Sequence, residues 1–279
     1  MREDVKGEGS KDVGRMPLTD HLRELRTRIF RSLIAIIIGS VIGWFLYDLT
    51  FEWISAPFEA VVAEAQAQGR QVQLALTGVA DPFTLKLKVA GVTGVILASP
   101  VWLYQTWRFI TPGLLHHERK WSLLFVAVAT PLFLSGAVLA YAFLPNALGF
   151  LFDFTPESVA NIVDVSRYIS FFLRTVIMFG IGFLLPLVAL MLNLAGVLPA
   201  DVLIRAWRWV ILGIFVFAAV ATPDGNPLTM TAMATPIIVM IVGVMAIAWL
   251  NDRRKRRKGI EVDLRDDELS EIETESDPL

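Results

Sequence analysis

The sequence has no cysteine and only three histidines among its 279 residues. Without cysteine, neither a disulfide bond nor a thiolate metal site can form. The histidines, His21, His116 and His117, all lie outside the long apolar runs, so a haem or metal site within those runs would have almost no ligands. We therefore expect no metal and no cofactor.

Ionisable residues are nearly absent from the centres of the apolar runs. An intramembrane hydrolase would need paired aspartates, a Ser/His pair or an HExxH motif there, and the segment His117-Glu118-Arg119-Lys120 lacks the second histidine. A proton-coupled transporter would need acids near the membrane midplane. The sequence thus argues against an enzyme. A small-solute secondary transporter, which would also show internal repeats, is kept only as the alternative hypothesis.

Apolar side chains, by contrast, make up 55% of the chain, and the mean hydropathy is +0.58. They form runs long enough to cross about 30 Å of hydrocarbon, which takes about 20 helical residues. The fifth run has only 16 residues, about 24 Å, and should thin the bilayer or leave a notch. The sequence predicts an all-α polytopic membrane protein with six transmembrane helices, at residues 29–46, 83–110, 121–148, 168–194, 206–221 and 228–250.

Prolines and short residue patterns predict the structure of the first link and the kinks within the spans. In a spanning helix a proline removes one backbone hydrogen bond and bends the rod. Residues 51–65 carry a helical apolar stripe, which predicts an interfacial amphipathic helix bent by Pro57. Residues 72–76 alternate and predict a short extended piece before a helix start at residues 81–82. Kinks are expected within the spans at Pro100, Pro131 and Pro186.

The two ends of the chain differ from its apolar centre. Residues 1–16 are charged, contain glycine and lack periodicity, which predicts disorder. Residues 18–29 place an apolar side chain every three or four positions, as in a helix lying on the membrane surface. We assign residues 17–252 to the membrane domain and residues 253–279 to a tail that is first basic and then acidic.

Basic residues indicate the orientation of the chain. With six spans, both termini lie on one side of the membrane, and that side would hold nineteen lysines and arginines. The positive-inside rule places that side, with both termini, in the cytoplasm of a cell whose cytoplasmic membrane the chain crosses. The opposite side would hold four basic residues, which are Arg70, Lys86, Lys88 and Arg167.

Residues 99–121, between the second and third spans, concentrate aromatic rings with one carboxylate, that of Glu118. Glu24 adds a second carboxylate on the same basic face, and such a carboxylate suits the bidentate fork of a guanidinium group. Each has a plainer interpretation, because Glu24 can pair with Arg28 and Glu118 can face the N-terminal end of the third helix. The rings can equally be interfacial anchors, and they belong to Trp102, Tyr104, Trp107 and Phe109.

Several segments carry a more specific pattern, and they are residues 21–28 (HLRELRTR), 55–57 (SAP), 81–83 (DPF), 99–118, 145–150 and 222–224 (TPD). Together they resemble the TatC family, the core membrane subunits of the twin-arginine protein translocase. The resemblance covers about residues 17–252. It implies six helices arranged as a curved, glove-like wall.

The resemblance also implies a function and a site. A family member would bind the paired arginines of a cargo's signal peptide at its cytoplasmic face and support export of folded proteins by the proton-motive force. It would act in several copies with single-span TatA and TatB type subunits in the lipid bilayer, without nucleic acid. The matching signal-peptide positions are Glu24, Arg26, Phe109 and Glu118. Structural or partner-contact roles are expected for Pro57, Pro100, Pro112, Thr222 and Asp224.

The fourth span departs from the family pattern. Many members carry a glutamate shortly before the proline of this span, where this chain reads Phe183-Leu184-Leu185-Pro186. Arg174 lies ten residues before Leu184 instead. It can extend its side chain outward to the headgroups, or it can face inward as a site residue.

Overall fold

The protein is described by a computed structural model that covers residues 18–67, 72–110, 118–154, 156, 161–222 and 227–257. Nearly all of these residues are helical. The helices are α1 (Leu18–Phe45), α2 (Tyr47–Ala67), α3 (Asp81–Leu97), α4 (Ser99–Ile110), α5 (Glu118–Asp153), α6 (Val165–Leu194), α7 (Ala200–Arg205), α8 (Trp207–Ala221) and α9 (Pro227–Arg257). The strands are β1 (Val72–Ala75) and β2 (Asn161–Asp164), which pair in parallel.

Helix α1 corrects the prediction of a separate helix on the membrane surface. The predicted surface segment and the predicted first span form one continuous helix of 28 residues. No proline interrupts this stretch and its first glycine is Gly39, so nothing in the sequence breaks the helix after its amphipathic start. The consequence is that the charged N-terminal residues are held rigidly on the end of a spanning helix.

The long helices agree with a multi-pass membrane protein. Within the described residues, α1, α5, α6 and α9 are each long and apolar enough to cross a membrane. Helices α3 and α4 would form a further span that is bent by 59° at Ala98. The predicted kink at Pro100 is therefore confirmed, and Pro100 itself lies in the first turn of α4, where its missing amide hydrogen costs nothing.

The remaining predicted span, α8, is shorter. It has 15 residues and reaches only about 22 Å. It is preceded by the one-turn helix α7, which the sequence analysis did not predict. Helix α9 continues to Arg257, so the first part of the predicted tail is helical.

Helix α6 lies at the centre of the packing. It is the most buried of the long helices within the described residues, and its Phe172, Val176, Phe179 and Phe183 belong to the main apolar cluster. Residues of α2, α3, α5, α8 and α9 share that cluster. Most apolar side chains of α1 are instead exposed, as expected for a helix facing lipid.

The ends of α2, α3 and α6 meet at the short sheet. The predicted stripe of α2 is confirmed, because Ile54, Phe58, Val61 and Ala65 are all buried. The Tyr168 hydroxyl of α6 donates to the Ile54 carbonyl oxygen at 2.8 Å. The predicted extended piece is confirmed as β1, and the predicted helix start at residues 81–82 is confirmed as the beginning of α3.

The opposite end of α6 is fastened to α7 and α9 by polar groups. Asn193 is only 1% exposed, and its side-chain amide donates to the Leu198 carbonyl at 2.9 Å and to the Asp252 carboxylate at 3.3 Å. Asp252 also accepts the backbone N–H of Ala200 at 2.7 Å, the first residue of α7. The side-chain amide of Asn251 donates to the side-chain oxygen of Asn193 at 3.2 Å. One carboxylate therefore joins three helices.

Candidate functional site

The N-terminal end of α1 packs against the C-terminal end of α4. The rings of His21 and Phe109 stack with their centroids 4.6 Å apart and an interplanar angle of 20°. Phe109 is thus half-buried against a histidine rather than free to flank a ligand on both faces. His21 was not predicted as a site residue, although it begins the motif at residues 21–28. Its contact fixes α1 and α4 as one platform.

Glu24 lies on this platform one turn beyond His21. Its Oε1 accepts hydrogen bonds from both Nε (3.0 Å) and Nη2 of Arg28, four residues along the helix. The ion-pair interpretation of Glu24 is therefore what the structure shows. Arg28 is 8% exposed, whereas Arg26 on another face of α1 is exposed.

The aromatic residues of α4 differ in burial and in the partners they contact. Trp107 is buried and stacks on Phe125 of α5 with a centroid distance of 4.2 Å, so it is a core residue and not an interfacial anchor. Trp102 is half-buried, and its indole N–H donates to the Val95 carbonyl across the bend. Tyr104 accepts a hydrogen bond of 3.3 Å from Arg108. Of these contacts, the Trp102 hydrogen bond joins α3 to α4 across the bend.

A groove of about 330 Å³ continues from the platform between α1 and α4. Its walls are mostly apolar, but Gln105 of α4 contributes its side chain. The Oε1 atom of Gln105 is buried and accepts no hydrogen bond from the described residues, although most buried polar atoms have a partner. Gln105 was missed in the sequence because a single glutamine between Tyr104 and Thr106 carries no motif. The groove extends the platform towards the membrane.

The other predicted positions fall in different places. Pro57 lies inside α2, which continues through it, and is buried. Thr222 is buried, and its hydroxyl donates to the Ala218 carbonyl one turn earlier. Glu118 is described only as the first residue of α5, and its side chain lies outside the described part. Pro112 and Asp224 lie outside the described residues.

Leu184 and Arg174, the two unusual positions of the fourth predicted span, have different environments. Leu184 is buried in a second apolar cluster, with Leu103, Trp107 and Phe125 among its members. Arg174 is exposed on the surface of α6. The position of the missing acid is therefore filled by core packing, and Arg174 does not point into that core.

Long apolar helices with a charged, aromatic platform at one end define this chain as a multi-pass helical membrane protein. The family model described as Sec-independent protein translocase protein (TatC) matches residues 20–236. The chain therefore belongs to the TatC family.

Individual relatives agree over most of the chain. The Sec-independent protein translocase protein TatC of Frankia casuarinae is 41% identical over 273 residues, which are 95% of this chain and 75% of that protein. The TatC of Aquifex aeolicus is 36% identical over 244 residues, or 86% of this chain and 98% of that protein. These relatives lend no support to the small-solute transporter considered from the sequence.

Solved structures show the same likeness. A crystal structure of the twin-arginine translocase receptor TatC in DDM superposes with a TM-score of 0.70 at 34% identity, covering 82% of this chain and 99% of that one. A second crystal structure of the twin-arginine translocase receptor TatC gives 0.69 at 35% identity over the same shares.

Proposed function

We propose that this chain is the core receptor and translocase subunit of a twin-arginine translocase. It binds twin-arginine signal peptides at its cytoplasmic face and supports export of folded proteins by the proton-motive force. Single-span TatA and TatB type subunits join it, in several copies per complex. The observation that carries the proposal is the platform of α1 and α4, which holds Glu24 and Phe109 beside an open groove.

The proposed topology has six spans with both termini in the cytoplasm. The nineteen-to-four distribution of basic residues supports this orientation. The helix lengths support six crossings if α8 is counted as a short one, with α3 and α4 as one bent span. The platform then faces the cytoplasm, where cargo is made.

Recognition of two arginines needs two carboxylates on separate elements. Adjacent residues of an extended peptide point to opposite sides, so one acid cannot hold both side chains. Glu24 on α1 and Glu118 at the start of α5 can each take one guanidinium group. A partly desolvated hydrogen bond to a charged group contributes about 1.5–3 kcal/mol, so the loss of one should weaken binding about ten-fold or more.

The ion pair within α1 prepares Glu24 for this role. Arg28 binds Oε1, and Oε2 makes no hydrogen bond with the described residues. Because Arg28 is mostly buried, it fixes the orientation of the carboxylate and leaves the second oxygen for a cargo arginine. Arg26 is exposed nearby and would deter other cations from the platform.

The test is binding of a synthetic signal peptide to the purified full-length chain. A peptide with Arg-Arg should bind and its Lys-Lys version should bind more weakly, because an ammonium makes a point contact where a guanidinium makes two aligned bonds. Glu24→Gln and Glu118→Gln should each weaken the Arg-Arg peptide about ten-fold. Glu64→Gln, at an exposed acid of α2, is the matched control and should bind normally.

A charge reversal sharpens the test. Glu118→Arg should block binding, and an acidic residue placed in the peptide should restore part of it. Wild-type affinity in both glutamine variants would show that the carboxylates are structural and that the peptide binds elsewhere.

A further inference from the structure

Two cations from different helices meet on one exposed face of the α3–α6 pair. Lys88 of α3 donates from Nζ to the Ser170 hydroxyl of α6 at 2.9 Å. Arg174 follows Ser170 by four residues and is exposed. Within the described residues, neither Lys88 nor Arg174 forms an ion pair. We call Lys88, Ser170 and Arg174 the basic face.

Helix geometry brings the two charges together. Residues four apart lie one above the other on the same side of a helix. Helical side chains lean towards the N-terminus, so Arg174 leans towards Ser170 and the ammonium group of Lys88. Ser170 in turn donates to the Ser166 carbonyl at 2.6 Å, which fixes its hydroxyl as an acceptor for Lys88. Helix geometry thus predicts two like charges close together, and an anion between them would relieve their repulsion.

The depth of the basic face matches the headgroup boundary. Helix α6 has 30 residues, so it is about 45 Å long and exceeds a hydrocarbon core of about 30 Å by roughly 7 Å at each end. Arg174 lies nine residues after Val165, which in a helix centred in the membrane places its Cα about 6 Å inside the hydrocarbon. An arginine side chain can extend over about that distance to the boundary.

A neighbouring contact on α3 gives separate support for the membrane depth of the basic face. Lys86, two residues before Lys88, places Nζ 4.7 Å from the ring centroid of Trp44 and 5.2 Å from that of Tyr47. Tryptophan and tyrosine gather where membrane meets water. The basic face therefore lies beside two rings of the kind that gather at the headgroup boundary.

We propose that the basic face binds the phosphate of an anionic phospholipid, in the leaflet at the N-terminal end of α6. A phosphate group has several acceptor oxygens and can bridge a guanidinium and an ammonium group at once. The exposed Leu185, further along α6, would lie beside the acyl chains. The proposal depends neither on signal-peptide binding nor on which side of the membrane the termini occupy.

The test is a lipid titration of the purified full-length chain followed by native mass spectrometry. Phosphatidylglycerol should bind more tightly than phosphatidylcholine. Arg174→Gln and Lys88→Gln should each weaken phosphatidylglycerol binding about ten-fold, because each removes one charged hydrogen bond. Lys86→Gln is the matched control, since its ammonium group lies over Trp44, and it should bind like the wild type.

Further variants keep the result interpretable. Arg174→Lys retains a cation and should retain most of the binding, which separates loss of charge from loss of fold. Ser170→Ala should weaken binding less than Lys88→Gln, because it removes only the group that orients Lys88. Elution volume in size-exclusion chromatography checks that each variant is folded.

Two results would overturn the proposal. Equal binding of phosphatidylglycerol by the wild type, Arg174→Gln and Lys88→Gln would show that no lipid phosphate occupies the basic face. Displacement of the lipid by inorganic phosphate at equal concentration would show that the face binds a free anion and that the lipid assignment is wrong.

Discussion

The two oxygens of the Glu24 carboxylate have different surroundings, and that difference decides how the residue can act. Arg28 donates hydrogen bonds to Oε1, whereas Oε2 makes no hydrogen bond with the described residues. The sequence offered an ion pair and a guanidinium site as competing interpretations. The structure makes them compatible, because a carboxylate can accept hydrogen bonds from two cations at once.

Asp252 supplies a prediction at the same scale. Asp252→Ala would leave the buried Asn193 amide and the Ala200 N–H without this acceptor, which costs about 1–3 kcal/mol for a buried group. We expect a lower thermal unfolding midpoint in detergent. Arg254→Ala, at an exposed position two residues along α9, should change the midpoint little. Equal midpoints for Asp252→Ala and the wild type would show that α7 does not depend on this carboxylate.

At the scale of elements, the crossing of α1 and α3 depends on small residues. A Cβ atom on Gly39 would lie 2.7 Å from the Gly94 carbonyl oxygen, and one on Gly94 would lie 2.2 Å from the Ser40 hydroxyl. The two backbones therefore touch, and this contact places the site-bearing end of α1 beside α4. In a membrane, where apolar burial gives little drive, such close packing is a main source of helix association.

Alanine substitutions on α3 test this crossing. Gly94→Ala should destabilise the protein by about 1–3 kcal/mol, because Ser40 and the α1 backbone must move apart. Gly91→Ala is a close control on the same helix, since a Cβ there would meet no atom within 4 Å. It should be neutral or slightly stabilising, by about 0.5–1 kcal/mol relative to glycine. Thermal unfolding in detergent measures the stability of both variants. Similar unfolding midpoints for Gly94→Ala and Gly91→Ala would contradict the close crossing of α1 and α3.

Helix α8 gives a second prediction about an element. We expect a TatA or TatB type helix to pack beside this short helix, on which Ile211 and Phe215 are half-buried. The exposed stripe consists of Leu212, Val216 and Val220. A photo-crosslinker at Val216 should therefore capture such a helix, and one at Ile214, which is buried, should not. Adducts with lipid alone at Val216 would count against a partner there.

At the scale of the whole molecule, the described helices pack in two apolar clusters, and α6 contributes residues to both. The polar junction of Asn193 and Asp252 secures one end of α6, and the small sheet secures the other, where the Thr77 hydroxyl donates to Asp164 at 2.5 Å. The platform and the basic face lie near opposite ends of the chain's spanning helices. We therefore expect the proposed peptide binding and the proposed lipid binding to respond to different substitutions.

Cysteine labelling tests the proposed orientation directly, because the natural chain has no cysteine. Single cysteines at Arg70 and Gly225 should react with a membrane-impermeant maleimide only from outside the cytoplasm. A cysteine at Arg254 should react only from the cytoplasmic side. Labelling of residues 70 and 225 from the cytoplasm alone would reverse the topology.

The sequence by itself determined the elements that depend on local pattern. Apolar run length marked the spanning helices, the alternation at residues 72–76 marked β1, and Pro100 marked the bend between α3 and α4. The motif around Glu24 and Phe109 was enough to indicate the family. These features follow from helix propensity, hydrophobicity and a missing backbone donor, so they do not depend on how the helices pack.

The tertiary structure alone decided what depends on distant parts of the chain. It stacked His21 on Phe109, left the Gln105 carbonyl unpaired in a groove among the described residues, and buried Trp107 as core. It also brought Lys88 to Ser170 across 82 positions. No local pattern encodes such pairs, because they arise only when helices far apart in sequence pack against one another.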